Sequence, residues 1–136
     1  MRFPTKVAIA VRDDLAGWQK LNVTAFLASG VAHASVDIMG RPYEDGSGNT
    51  YLAMLREPVL VYSADAAGLT RTHERALRRG LPTALYTEEL FATGNDDDNR
   101  AAVRAVTVDK LALVGLAVYG PRNDVDKVIK GLALHT

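Results

Sequence analysis

Two continuous apolar runs restrict the folds that this chain can adopt. They cover residues 6–12 and 111–119, and the second run contains no charged side chain. A short run of this kind is typical of a strand that is covered on both faces of a sheet. The two runs therefore predict a central sheet with helices packed on both of its sides.

Weaker signals between and after these runs complete the predicted order of elements. The additional elements are a helix near 21–36, a strand at 59–62, a helix at 66–79, a strand at 83–86 and a short helix after 121. The first of these helices is apolar almost all round its axis, which predicts a buried helix. Strands that alternate with helices predict an α/β fold, here a three-layer α/β/α domain around a mixed sheet of about four strands.

Composition excludes several classes of protein. The 136 residues fit one domain, 1–136, and the 16 basic and 16 acidic residues balance, so the whole molecule has no general attraction to nucleic acid or membranes. The chain has no cysteine and three widely separated histidines, so neither a metal site nor a cofactor is predicted. No apolar run approaches the roughly 20 residues of a membrane-spanning helix, and a cytoplasmic location is expected.

Most of the unusual polar residues lie at one junction, between the end of the first strand and the start of the first helix. Open α/β sheets bind ligands at the carboxyl ends of their strands, so this junction is the predicted site. Hydrolysis of an ester or amide needs a base that activates water and a donor for the developing oxyanion. The catalytic candidates are Asp14 and Glu88 as base, with Lys20, Asn22 or Gln19 as donor.

Other residues near this junction are predicted to contact the ligand. The ligand-binding candidates are Trp18, Gln19, Thr24 and His33. Structural roles stay open for several candidates. Asp14 suits the cap of a turn and Asn22 the cap of a helix. Trp18 suits a lid over the core, and His33 suits a hydrogen-bonded structural histidine.

Three other segments stand out by composition. The long Gly-rich loop at 39–55 is a candidate lid or binding loop. The acidic run at 92–100 indicates an exposed tip rather than a cation site, because it lacks the ligand spacing of an EF-hand loop. The helix at 66–79 has an arginine face, which indicates either a solvated surface or a patch that contacts phosphate. The arginines of that face are Arg71, Arg75, Arg78 and Arg79.

Two stretches of the chain resemble the type 2 peptidyl-tRNA hydrolases. Residues 6–15, KVAIAVRDDL, are similar to the opening strand and turn of that family. Residues 113–132, LVGLAVYGPRNDVDKVIKGL, are similar to its closing strand, Gly-Pro turn and last helix. Residues 18–30, WQKLNVTAFLASG, more specifically resemble the uncharacterised bacterial family catalogued as domain of unknown function two thousand.

This resemblance implies a peptidyl-tRNA hydrolase type 2-like fold, a homodimer, and tRNA or a small acylated ligand as partner. Asp14, Gly120 and Pro121 match the family pattern, but the lysine that the hydrolases carry on their first helix is missing. We expect either a hydrolase of an acylated or peptidyl-tRNA-like substrate with an altered site, or a non-catalytic small-molecule-binding or regulatory module. An RNA-binding module that works through the arginine face is the third hypothesis.

Overall fold

The computed structural model describes residues 2–136, and this part of the chain forms seven strands and four α-helices. The strands are β1 (Thr5–Arg12), β2 (Tyr43–Glu44), β3 (Thr50–Tyr51), β4 (Val59–Ala64), β5 (Thr83–Thr87), β6 (Leu113–Pro121) and β7 (Ala133–Leu134). The helices are α1 (Gly17–Ala32), α2 (Ala66–Arg79), α3 (Asp96–Arg104) and α4 (Arg122–Val128). Within residues 2–136, none of these helices has the length and apolar character needed to cross a membrane.

Five of the strands form the main sheet, in the order β5-β6-β1-β4-β7. β1 pairs in parallel with β4 and antiparallel with β6, so Val7 stands opposite Val59 on one side and Tyr119 on the other. β5 is antiparallel to β6, and therefore β1, β4 and β5 all end at the same side of the sheet. The predicted α/β fold with a mixed sheet is confirmed. The sheet has one strand more than expected because the short β7 pairs with β4.

The main sheet is covered on both faces, and this explains why β1 is apolar throughout. Val7 and Ile9 belong to a buried cluster that includes α1, whereas Ala8 and Ala10 belong to a second cluster that includes α2 and α4. Successive side chains of a strand point to opposite faces, so the two clusters lie on opposite sides of the sheet. The helices therefore form two outer layers around the strands.

α1 begins and ends earlier than predicted, at Gly17 and Ala32. The preceding residue, Ala16, has no side chain that could cap the helix, but its backbone N–H donates a hydrogen bond to the Gln19 side chain at 3.0 Å. The prediction of a helix buried on all sides was wrong, because the sheet covers only one face. The outer face includes Leu21, which is 75% exposed. The buried residues of the helix are Val23, Leu27 and Val31.

α1 lies close to the sheet because a glycine stands beneath it in β6. A Cβ atom at Gly115 would lie 2.7 Å from Cγ1 of Val23 and 3.0 Å from Cδ1 of Leu27. Carbon atoms do not approach so closely in a packed core. Glycine at this position therefore sets the distance between the helix and the sheet.

The segment predicted as a Gly-rich loop contains the β2–β3 hairpin, and its turn is organised by one carboxylate. Asp45 accepts hydrogen bonds from the Tyr51 hydroxyl at 2.7 Å and from the Asn49 side chain at 3.0 Å. These bonds hold the pKa of Asp45 well below its ordinary value. An isolated bridge between Met39 and Leu55 closes the base of the segment. The lid role of 39–55 stays a prediction.

The segment predicted as an acidic tip contains α3, so the expectation of a loop throughout 92–100 was wrong. Asn95 caps this helix, because its side-chain oxygen accepts a hydrogen bond from the Asp98 N–H at 2.9 Å. Acidic residues in the first turn favour the positive end of a helix. Arg100 lies 2.6 Å from Asp96 and 2.8 Å from Asp97, in pairs spaced as neighbours on a helix.

Candidate functional site

The carboxyl ends of β1 and β5 bring two predicted catalytic residues together. Asp14 follows β1, Glu88 follows β5, and both carboxylates pair with the Arg12 side chain. Nε of Arg12 lies 2.6 Å from Oδ1 of Asp14, and its Nη1 lies 2.7 Å from Oε1 of Glu88. A hydrogen bond of 3.3 Å to the Leu113 carbonyl also holds the guanidinium at the start of β6. We call Arg12, Asp14 and Glu88 the junction cluster.

The junction cluster consists of a largely buried cation between two exposed carboxylates. The Arg12 side chain is only 16% exposed, whereas Asp14 and Glu88 both reach solvent. Burial lowers the pKa of Arg12, but hydrogen bonds with Asp14 and Glu88 outweigh burial and raise that pKa above its ordinary value. The guanidinium therefore stays charged, and it orients two carboxylates that solvent or a ligand can still reach.

The helical repeat of α1 separates the other predicted site residues onto two flanks. Trp18 and Asn22 lie on the flank that faces β5, where both line a cavity. Lys20 and Thr24 lie on the other flank, and the Thr24 hydroxyl donates a hydrogen bond to the Lys20 carbonyl at 2.7 Å. Because successive residues of a helix are about 100° apart, Lys20 and Asn22 leave the helix in nearly opposite directions. The two predicted donors therefore do not face a common point.

Two further predicted residues occupy the ends of α1. Gln19 caps the start of the helix, as described above, and Asn22 lies inside the helix rather than at its cap. His33 is the C-cap residue, and its backbone N–H donates to the Gly30 carbonyl at 3.3 Å. At about 1.5 Å per residue, His33 lies roughly 22 Å along the axis from Trp18. The structure therefore does not bring His33 to the junction cluster.

Four aromatic rings form a continuous row next to the junction cluster. The ring centroids of Trp18 and Phe91 are 6.0 Å apart, those of Phe91 and Tyr86 are 5.2 Å apart, and those of Tyr86 and Phe26 are 5.8 Å apart. Such edge and tilted contacts are favourable geometries for aromatic pairs. Trp18 is nevertheless 64% exposed and Phe26 53% exposed. The row therefore presents large apolar faces to solvent.

Two adjoining cavities lie between α1 and α3, and we call them together the aromatic groove. Phe26 and Tyr86 line the larger cavity, and all four rings of the row line the smaller one. Their volumes are about 820 and 380 Å³. Both are lined by Phe26, Tyr86 and Leu90 of the apolar floor and by Asp96 and Asn99 of α3. The larger cavity follows β5 from 83 to 86, along an edge of the sheet.

Tyr86 lies at the centre of the aromatic groove and remains protonated. Burial raises the pKa of its hydroxyl above the ordinary value. A neutral phenol presents both a hydrogen-bond donor and an acceptor to a ligand. Tyr86 thus adds a polar group to an otherwise apolar floor.

Trp18 and Asn22 were predicted from the sequence, whereas Phe26, Tyr86 and Phe91 were not predicted as site residues. These three belong to α1, to β5 and to the 3-10 turn Glu88–Phe91. The α3 wall was missed as well, although the Asn95 cap, the acidic first turn and Arg100 were local signals for a helix. Within residues 2–136, no group of three or more His, Asp or Glu side chains could hold a metal ion.

Comparisons with known proteins agree with the resemblance of residues 18–30. A family model described as "Protein of unknown function (DUF2000)" matches residues 5–136. A solved structure of a protein of unknown function from Agrobacterium tumefaciens is 46% identical and superposes with a TM-score of 0.96. The match covers 99% of this chain and 100% of that chain. A search of curated proteins found no match.

Proposed function

This chain belongs to the DUF2000 family, and we propose that its aromatic groove binds a small acylated ligand with an aromatic or other flat apolar part. The observation that carries the proposal is the row of four rings, because two of them are more than half exposed. Exposed apolar surface of this kind marks binding sites more often than chance. The resemblance to type 2 peptidyl-tRNA hydrolases stays a prediction.

The size and the lining of the aromatic groove support a small ligand. Pockets for small molecules are typically 300–1,000 Å³, mostly apolar, with a few polar groups that orient the ligand. The larger cavity, of about 820 Å³, falls in that range. Asn99 and Arg104 supply a polar and a cationic group along the α3 wall, where Arg100 is already paired with Asp96. A flat apolar group would stack on the rings while α3 contacts its polar end.

The edge position of β5 supports an acyl amide as the polar part of the ligand. Among residues 2–136, β5 pairs with β6 alone, so its other side lacks a neighbouring strand. An unpaired strand edge presents N–H and C=O groups in a row. An amide that lies along 83–86 would bond to that edge in the way that a peptide extends a sheet.

Fluorescence provides a direct test, because Trp18 is the single tryptophan of the chain and lines the groove. We expect a saturable change in Trp18 emission when N-acetyl-phenylalanine amide is titrated into the protein. Phe26→Ala should weaken binding roughly three- to tenfold, since aromatic contacts are worth about 0.5–1.5 kcal/mol. Leu21→Ala is the matched control, because Leu21 lies on the same helix outside both cavities. An unchanged spectrum, or equal losses in both variants, would contradict the proposal.

Hydrolysis of the acyl bond is the second candidate function, and the position of Glu88 favours it. Glu88 and Phe91 belong to the same 3-10 turn, so an exposed carboxylate lies one turn from the groove floor. Held by Arg12, this carboxylate would orient and deprotonate a water molecule that attacks the acyl carbon. The acyl C–O or C–N bond would then break, and the abstracted proton would pass from Glu88 to the leaving hydroxyl or amine. Asp14 is the alternative base, on the other side of the same guanidinium.

Turnover of an N-blocked aminoacyl-tRNA tests the second candidate. Glu88→Gln should abolish turnover while the melting temperature stays close to that of the parent protein. Lys20→Ala should retain most of the activity, because Lys20 lies on the other flank of α1, and Asp14→Ala separates the two possible bases. Absence of turnover in folded parent protein would remove hydrolysis and leave the binding proposal intact.

Homodimerisation, implied by the family resemblance, is part of the proposal. Apolar side chains that face solvent support it: Val36 after α1 and Leu52 after β3 are 94% and 88% exposed. Sedimentation equilibrium at micromolar concentration should give twice the chain mass of 14.7 kDa. A mass of one chain would contradict a dimer.

We also propose a cytoplasmic location. The chain has no cysteine, so the reducing conditions of the cytoplasm break no disulfide in it.

A further inference from the structure

A second cavity lies on the other face of the sheet, where α2 and α4 end. Its volume is about 540 Å³, and every residue that lines it is cationic. The lining residues are Arg75, Arg78, Arg79, Lys127 and Lys130. We call this the cationic cavity. The arginines of α2 form a pattern in the sequence, but the two lysines reach the same place only because α4 packs against α2.

The cations of this cavity have few anionic partners. Of the five cations, only Arg79 lies within 4.0 Å of a carboxylate of residues 2–136, at 3.5 Å from Asp124. Arg75 donates a hydrogen bond of 2.8 Å to the backbone carbonyl of Lys130, which ties the end of α2 to the end of α4. That bond fixes a guanidinium without neutralising it.

Helix dipoles account for only part of this positive charge. Cations stabilise the negative carboxyl end of a helix, and α2 and α4 both end here. Two such ends contribute roughly one negative charge in total. With Asp124 included, the five cations still leave an excess of roughly three positive charges. Like charges that line one cavity repel one another, and an anion bound between them removes this repulsion.

We propose that the cationic cavity binds a compact anion that carries two or more phosphate groups, such as the di- or triphosphate part of a small molecule. The five cations converge on one concavity from two helices, whereas a nucleic-acid backbone requires cations spread along a track. Arginine forks hold phosphate oxygens in pairs, and lysines add point charges. This site is independent of the aromatic groove, which lies across the sheet.

Titration calorimetry with inorganic tripolyphosphate tests the proposal on the intact protein. We expect saturable binding of tripolyphosphate that is tighter than that of orthophosphate and weakens as salt is raised. Arg78→Ala should reduce the affinity roughly tenfold, as expected for loss of a charged hydrogen-bond donor. Arg71→Ala is the matched control, because it removes the same charge from the same helix but does not line the cavity.

A second variant, Lys127→Ala, distinguishes loss of the anion site from a local disturbance of α2 by Arg78→Ala. Lys127 lies on α4 and is exposed. It should also weaken tripolyphosphate binding, with the melting temperature unchanged. Absent binding, or equal losses in Arg71→Ala and Arg78→Ala, would overturn the proposal. Tight binding of single-stranded RNA that tripolyphosphate fails to displace would also overturn it, in favour of a backbone track along α2.

Discussion

α1 and α2 cover opposite faces of one sheet, yet their solvent-exposed faces differ in polarity. α2 buries Leu69, His73 and Ala76 and presents arginines to solvent, as expected of an amphipathic helix. α1 buries a narrow stripe and leaves Leu21 and Phe26 exposed. The charged surface of α2 is therefore solvated by water and ions. The apolar surface of α1 instead favours contact with another apolar surface.

The same contrast extends to the cavities that the two helices border. The aromatic groove beside α1 is apolar with a polar wall, and the cationic cavity beside α2 has no apolar lining residue. An acylated molecule and a polyphosphate would thus bind on opposite faces without competition. On each face of the sheet, the residues on the uncovered side of the helix determine which kind of ligand the adjacent cavity suits.

The largest effect expected from this comparison is the cost of truncating the buried stripe of α1. Leu27→Ala should lower the free energy of unfolding by about 2–5 kcal/mol, because it opens a cavity in the core. Leu21→Ala, on the exposed face, should change it by less than about 0.5 kcal/mol. Urea unfolding at low micromolar concentration measures both. Equal costs would mean that the outer face of α1 is covered, and the comparison between the helices would fail.

A smaller effect is expected where the sheet meets α1. Gly115→Ala places a methyl group against Val23 and Leu27 and should cost about 1–3 kcal/mol through overpacking. Gly17→Ala, at the exposed start of α1, meets no atom within 4 Å and should be neutral or stabilise the fold by up to about 1 kcal/mol. Thermal unfolding of both variants, with the parent protein as reference, checks the pair. A neutral Gly115→Ala would show that α1 is not seated closely on β6.

The smallest effect is a dependence of stability on pH that arises from the buried His73 of α2. Burial lowers the pKa of His73 below its ordinary value of 6.5, although Glu74 acts in the other direction. As the pH falls below 6.5, the unfolded chain binds a proton at His73 more readily than the folded chain does, so stability is lost. Above that pH the loss is absent.

Melting temperatures between pH 7.5 and 5.5 test this. His73→Gln should flatten the decline of the melting temperature with falling pH. A decline that persists in His73→Gln would assign the pH dependence to other groups.

Several elements were predicted to within about two residues because their signals are local. The predicted strand at 6–12 is observed as Thr5–Arg12, and the predicted helix at 66–79 is observed as Ala66–Arg79. An apolar run, a helical repeat and the terminal Gly80 are all readable within a few neighbouring positions. The start of α1 was predicted about four residues after its true position, Gly17. The reason is that the Gln19 side chain caps the helix by accepting a hydrogen bond from the backbone N–H of Ala16.

The candidate site was predicted only in part. Asp14 and Glu88 were named, but Arg12, which binds both, received no role in the prediction. Trp18 was named without the rings that continue it, since Tyr86 and Phe91 come from a different part of the chain. Lys20 and Asn22 are only two positions apart in sequence, yet the helical repeat directs them to different flanks.

The sequence by itself determined four of the five strands of the main sheet, the face of α2 that meets water and the chemistries that the residue types exclude. Only the tertiary structure decided which residues meet. The Arg12 guanidinium binds Glu88 across 76 positions of sequence, because β6 lies between β1 and β5 in the sheet. Apolar periodicity reports burial over a few residues and is nearly the same for many strand orders. The packing of the whole core decides the strand order. That order in turn decides which residues lie together in the candidate site.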